Sequence, residues 1–275
     1  MEKKKTEERI GRGIFDGMLI CSDFDETLYS HGVAPANTDA IRYFMDNGGL
    51  FTLCTGRDGR VLDAGNLPVT PNTFGACMNG AMIYDFITKT IVEKYPLGED
   101  YPAILQELIG AMPLRSADIV SENLRIGFSA DSETEFQEAL ARIDSPVYKL
   151  VVYKAEPSRD WIPEPARRLC AGRYNVLSNS KNCFEITAEG INKAFGVKKM
   201  MELTGARTLI TVGDCDGDIS MFRLADIRFS VANAIPELKA LSDYVTRADV
   251  REGAFPEIVS ILENTAREKA ARGSN

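Results

Sequence analysis

The sequence has one histidine (His31), one tryptophan (Trp161) and no cysteine pair at metal-clasp spacing. Structural zinc is held by histidines and by cysteine pairs that bracket a loop, so the composition argues against a zinc centre. The six cysteines (Cys21, Cys54, Cys77, Cys170, Cys183 and Cys215) are scattered singly along 275 residues. That usage is expected of reduced, mostly buried thiols in a cytoplasmic protein. No window approaches the ~18 uninterrupted apolar residues of a membrane span, so no membrane partner is expected. Positive charge is the minority: 32 Lys and Arg against 40 Asp and Glu leave a net charge of −8. This argues against a general nucleic-acid binder and leaves room for a local basic pocket that takes a small anion. The charged start, MEKKKTEERIGRG, lacks the apolar run of a secretory signal. Residues 1–16 read as a flexible, solvated tail.

What is present is a soluble globular composition, 44% hydrophobic and 26% charged, in a chain long enough for one large or two ordinary domains. MLICSDFD reads as a strand and PANTDAIRYFMDNGG as a helix, with Asn37 or Thr38 as its cap, Ile41, Phe44 and Met45 as its apolar face, and Gly48-Gly49 as its stop. LFTLCTGR is a second strand, and TFGACMNG with AMIYDFITKTIVEKY alternates as a strand and hairpin. Between about residues 97 and 182 the pattern changes to an α+β unit, with helices at EDYPAILQELIGAM, DSETEFQEALARI and DWIPEPARRLCAG, and strands at LRIGFSA, PVYKLVVYKA and NCFEITA. From Gly190 a strict βα alternation returns, with short, near-continuous apolar strands such as TLITV. Such strands belong to a parallel sheet covered on both faces. The expected fold is α/β: a doubly wound, Rossmann-like parallel-sheet core formed by residues 17–96 and 184–275, with an inserted α+β domain at 97–183.

Ligands of open α/β sheets bind outside the carboxyl ends of the strands. Three segments place polar residues there: Asp23-Phe24-Asp25-Glu26-Thr27, Thr55-Gly56-Arg57, and Gly213-Asp214-Cys215-Asp216-Gly217-Asp218. Two of the three are rich in carboxylates, which repel one another unless a cation sits among them. Asp-rich turns also serve as plain helix caps, and the second acidic segment could simply cap the helix at ISMF. A calcium loop fails in both acidic segments. Its sixth position needs Gly where these have Leu28 and Ile219, and its twelfth needs Glu where both have alanine, Ala34 and Ala225. Hard oxygen ligands with room for water suit Mg²⁺, which in turn attracts phosphate. Asp23 and Asp25, two apart at a strand end, could supply a nucleophile and a general acid/base. Thr55 could offer donors to the developing charge, and Lys193, at the start of a helix, is the best-placed cation.

These four segments, in this order, resemble the haloacid dehalogenase (HAD) superfamily, in particular the Cof-like phosphatases of subfamily IIB. DFDETL matches the nucleophile motif DxDxT, CTGR the threonine motif, EGINKA the lysine motif and VGDCDGDISMF the acidic GDxxxD motif, while MNGAMIYD is similar to the Asn-Gly hairpin before the cap. The resemblance implies that Asp23 becomes an aspartyl-phosphate, that Asp25 is the general acid/base, and that Thr55 and Lys193 hold the transferring phosphoryl group. It implies Mg²⁺ bound by Asp23, Asp25 (through its carbonyl) and Asp214, with Asp218 completing or orienting the shell. Substrate contacts would come from Thr55, Gly56, Arg57, Asn79, Gly80 and Lys193, although Arg57 could equally serve a structural salt bridge. The inserted α+β domain would be the cap that reads the leaving group.

Two departures stand out. Gly217 occupies the position where the family usually has Asn, and VANA is shorter than the usual VAMGNA around Asn233. The expected activity is Mg²⁺-dependent hydrolysis of a small phosphorylated metabolite, a sugar phosphate first, by a cytoplasmic monomer or weak homodimer. A phosphomutase and a catalytically weak phosphometabolite-binding protein are the alternatives. His31 and Trp161 read as a solvated loop residue and a packing residue.

Overall fold

The computed structural model describes residues 13–65, 67–157, 162–178 and 181–273, so Trp161 lies outside the described residues. The chain divides into two compact units, Met1–Glu93 with Lys193–Asn275, and Lys94–Asn192.

The first unit opens with β1 (Met18–Ser22), whose five residues are all buried, followed by α1 (Pro35–Asp46), β2 (Leu50–Leu53) and α2 (Gly59–Ala64). Proline presets the first turn of α1, which has no side-chain cap. The expected cap, Asn37 or Thr38, is therefore corrected: both residues are buried inside that turn. Asn37 Oδ1 instead accepts from the backbone N of Phe255, 218 residues away. The solvated tail also ends sooner than residue 16. Phe15 is fully buried, its ring 4.7 Å from that of Phe44, and its N–H donates to the carbonyl of Asn47. The unit continues with β3 (Phe74–Cys77), β4 (Met82–Asp85) and β5 (Thr90–Lys94) as a three-stranded ribbon in the order β3-β4-β5.

The second unit consists of α3 (Tyr101–Ala111), β6 (Leu114–Ser121), β7 (Arg125–Ser129), α4 (Glu133–Ala141), β8 (Val147–Lys154), α5 (Glu164–Cys170), β9 (Tyr174–Ser178) and β10 (Cys183–Ala188). Its sheet is antiparallel, in the order β7-β6-β8-β10-β9. Leu105 and Leu108 of α3, Phe136 of α4 and Ala166 of α5 pack on Ile119, Leu150, Phe184 and Ile186 of the sheet. Ser132 caps α4 by accepting from Glu135 N, as the Asp-Ser-Glu start suggested. Two of these strands, β6 and β9, are absent from the sequence reading. The boundary at 183/184 also shifts, because β10 pairs with β8 and β9 and so belongs to this unit.

The chain returns to the first unit through α6 (Lys193–Thr204), β11 (Thr208–Gly213), the short α7 (Ile219–Phe222), β12 (Ile227–Ser230), α8 (Pro236–Leu241), β13 (Tyr244–Val245) and α9 (Phe255–Gly273). All five strands of the main sheet run parallel, in the order β13-β12-β11-β1-β2. After β1 the chain goes first to β2 on one side and later to β11 on the other. The carboxyl end of β1 is thus a topological switch point, where open α/β sheets bind their ligands. The expected α/β class, a parallel core with a separate α+β insert, is the fold observed. Among the described residues no helix is long and apolar enough to cross a membrane.

Candidate active site

The parallel ladder continues one residue past β1, where Asp23 N donates to the carbonyl of Val212 at 2.9 Å. The chain then turns sharply. Leu28 N and Tyr29 N both donate to the carbonyl of Phe24, and Glu26 takes a left-handed φ of 58° while its N–H donates to Tyr29 O. Asn233 braces this turn, its Nδ2 donating to Glu26 O at 2.7 Å and its Oδ1 accepting from Val250 N. The loop that departs from VAMGNA is thus fastened to the turn that follows Asp23.

Lys193 stands at the first position of α6, and Gly196 lets that helix lie close on β3. A Cβ at Gly196 would come within 2.4 Å of Ala76 Cβ. So placed, the buried Lys193 Nζ lies 2.7 Å from Asp23 Oδ1 and 2.7 Å from Asp218 Oδ1. Asp218 folds back over Gly213, where a Cβ would meet its carboxylate carbon at 2.6 Å. Its Oδ2 accepts from the backbone N of Asp214 and of Cys215, at 3.0 and 3.1 Å. Both oxygens of Asp218 are therefore occupied, which suits it to orient the cluster. Asp214 faces the first motif and accepts from Thr27 Oγ1 at 2.8 Å.

Thr55 closes the other side. Its N–H donates to Ala76 O, its carbonyl accepts from Asn79 N, and its hydroxyl accepts from Arg57 N. Met78, Asn79 and Gly80 all have positive φ, and Met78 N donates to Arg57 O, so the Asn-Gly turn is tied to the threonine loop that also contains Gly56.

The electrostatics follow from burial. Burial pushes the Asp23 carboxyl well above its usual range; Lys193 opposes the shift, and Asp218 and Asp214 add to it. Burial and Asp218 push Asp214 up to about 7, against the Thr27 hydrogen bond. Burial disfavours the Lys193 ammonium, yet Asp218 and Asp23 more than compensate and hold it well above the usual lysine value.

The structure brings Asp23, Asp214, Asp218 and Lys193 together, but it places the Asp25 carboxylate elsewhere. That side chain is half-exposed and forked by Arg57, whose Nε and Nη2 donate to Oδ2 and Oδ1 at 2.8 and 2.5 Å. Two residues given no role in the sequence reading sit in the site, Thr27 and Cys215. Thr27 is the last letter of DxDxT, and Cys215 lies inside GDCDGD, so the motifs hold both without marking them. Ligand atoms of Asp23, Asp214, Cys215 and Asp218 lie within 4.8 Å of one another. The Cys215 thiol donates to Asp218 Oδ2, and burial and Asp218 push its ionisation far up, so it stands there as a neutral thiol. The remaining donors are hard carboxylate oxygens with a surplus of negative charge, which fits a divalent cation. His31 is exposed and stands outside this group.

Residues 20–256 match a family described as haloacid dehalogenase-like hydrolase. The chain belongs to the haloacid dehalogenase-like hydrolases. It is 26% identical over 235 residues to phosphoglycolate phosphatase 2 of Saccharolobus solfataricus, covering 83% of this chain and 85% of that one. It is 24% identical over 277 residues to the 5-amino-6-(5-phospho-D-ribitylamino)uracil phosphatase YwtE of Bacillus subtilis, covering 85% and 94%. Among solved structures, a HAD/COF-like hydrolase from Plasmodium vivax superposes with a TM-score of 0.74 at 22% identity, covering 96% of this chain and 99% of that one. The Cof-like fold expected from the motifs is the fold this HAD hydrolase has.

Proposed function

We propose that this HAD hydrolase is a Mg²⁺-dependent phosphatase of a small phosphorylated metabolite, working through an aspartyl-phosphate on Asp23. The observation that carries the reading is the buried Asp23–Lys193–Asp218 chain beside Asp214 at the switch point of the sheet. In the first step an Asp23 carboxylate oxygen attacks phosphorus, the bond to the leaving oxygen breaks, and Asp25 delivers a proton to that oxygen. In the second, Asp25 takes a proton from water, the water oxygen attacks phosphorus, and the bond to Asp23 breaks to free phosphate. The Lys193 ammonium and Thr55 hydroxyl donate to the phosphoryl oxygens, fixed donors for the charge that develops there. Mg²⁺ bound by Asp23, Asp214 and the Asp25 carbonyl would neutralise the cluster and attract the phosphate. Relatives named for phosphoglycolate and for a phosphoribityl compound support a small phosphomonoester as substrate. Sugar phosphates are within that class.

The test is phosphate release from a panel of phosphorylated metabolites, with Mg²⁺ and with excess EDTA, the Asp23→Asn protein serving as blank. Release that needs Mg²⁺ and is absent in the blank is expected. A folded, Mg²⁺-binding protein that releases none contradicts the reading.

A pH dependence follows from Asp214. With its folded value raised to about 7 from an ordinary 3.8, the carboxyl keeps its proton to near neutrality in the metal-free protein. Its contribution to stability is therefore full below the ordinary value and is lost as pH rises through the folded one. A cation must displace that proton. Mg²⁺ affinity measured by calorimetry without substrate should weaken by at least about tenfold per pH unit below neutrality, because Asp214 and the likewise raised Asp23 both give up protons to the cation. Affinity that stays flat across that range would contradict the assignment of Asp214.

A further inference from the structure

Arg57 is fixed from several sides. Its backbone N donates to Thr55 Oγ1 and its carbonyl accepts from Met78 N. The guanidinium lies over both rings of the stacked Phe24–Tyr29 pair, 5.0 and 5.2 Å from their centroids. Such a platform holds a cation in place whether or not a carboxylate is bound to it. Asp25, by contrast, is held by Arg57 at the tip of a turn, and its side chain is 50% exposed. The guanidinium therefore has support from the rings besides the fork, whereas the Asp25 carboxylate has the fork alone.

The pairing has a consequence for turnover. The guanidinium fork engages both oxygens of Asp25, so a proton carried there for the leaving-group oxygen must sit on an oxygen already bonded to a cation. The fork must open before Asp25 can act. Under the phosphatase reading, on which this inference rests, Asp25 serves the leaving oxygen, so Arg57 lies on the leaving-group side of the phosphorus. The fork uses Nε and Nη2 and leaves Nη1 with no partner among the described residues. Fork geometry is matched by a planar carboxylate, the group it already holds.

We propose that Arg57 is a specificity-determining residue that recognises a carboxylate on the leaving group, which takes the place of Asp25 on the guanidinium and frees Asp25 for the reaction. The exchange conserves the number of ion pairs, so it costs little for a phosphorylated hydroxy acid or sugar acid. A substrate with a neutral leaving group must break the Asp25–Arg57 pair without replacement. The favoured class is thus phosphomonoesters with a carboxylate one or two carbons from the ester oxygen.

The test compares phosphoglycolate with hydroxyethyl phosphate, which has an alcohol in place of the carboxylate, on wild type, Arg57→Gln and Arg57→Lys. Wild type should favour phosphoglycolate by about tenfold or more in kcat/KM, the scale of one charge-assisted fork. Arg57→Gln should bring the ratio near unity, mainly by raising KM for phosphoglycolate, and Arg57→Lys, with charge but no fork, should fall between. Thermal unfolding shows that each variant is folded. A wild type without preference, or a preference that survives in Arg57→Gln, overturns the proposal. Asp23-dependent, Mg²⁺-dependent phosphate release by wild type from any member of the metabolite panel tests the phosphatase reading separately. Its absence would remove that reading and, with it, this inference.

Discussion

Asp23→Asn should lower phosphate release by at least about 10⁴-fold, the scale on which enzymes lose turnover when a covalent nucleophile is removed. The same change should leave the fold intact and the metal-free protein no less stable. Burial raises the Asp23 carboxyl well above its usual range even with Lys193 at 2.7 Å, so at neutral pH its ionised form is a burden on the folded state. A neutral amide of the same shape removes repulsion from Asp218 and Asp214, while Lys193 keeps its bond to Asp218. Thermal unfolding in EDTA should therefore give an unchanged or higher midpoint for the variant. Acid-quenched wild type, mixed with substrate, should carry phosphoryl on the peptide that contains Asp23, and the variant should carry none. Turnover above about one-hundredth of wild type would show that another group attacks phosphorus.

The core of this site could be read in the sequence because it follows from local rules. An apolar strand that ends in acids, repeated at Asp23 and Asp214, marks the carboxyl edge of a parallel sheet, and βα alternation makes those edges coincide. Lys193 was legible for the same reason, as a cation at the start of a βα helix. What remained hidden depends on contacts between distant segments. Arg57 and Asp25 meet only because β2 pairs beside β1, and nothing local decides whether Asp25 faces phosphorus or a guanidinium. Asn37 looked like the cap of its own helix and serves Phe255 at the start of another. β6 escaped notice because its inward residues include the small Ala117 beside Ile119, while Asp118 points outward to Arg125. Period-two alternation with so little apolar contrast is a weak signal. Phe15 belonged to a charged segment by composition and to the core by its packing on Phe44.

Lys193→Ala should have the largest effect on stability. The ammonium is buried and bonded to two carboxylates, at 2.7 Å each, in a group whose ligand atoms lie within 4.8 Å of one another. Removing one partner of a buried ion pair leaves the other charge uncompensated, at a cost of about 3–5 kcal/mol. The sign of the pH dependence separates this cause from lost packing. Lys193 is raised above its usual value, so the stability it provides is present throughout the neutral range and is lost only at strongly alkaline pH. Without it, Asp23 and Asp214 can relieve the repulsion only by taking up protons. The deficit of Lys193→Ala against wild type, measured by urea unfolding in EDTA, should therefore shrink as pH falls from about 8 to about 5. A deficit that stays constant would assign the loss to the missing aliphatic stem. Adding Asp23→Asn to Lys193→Ala should recover part of the loss, because one of the two stranded carboxylates is then neutral. In a double-mutant cycle the two changes should couple by more than about 1 kcal/mol, as residues in direct contact do. Additivity would mean that Lys193 stabilises the site through Asp218 alone, and that its bond to Asp23 contributes to the reaction and not to the fold.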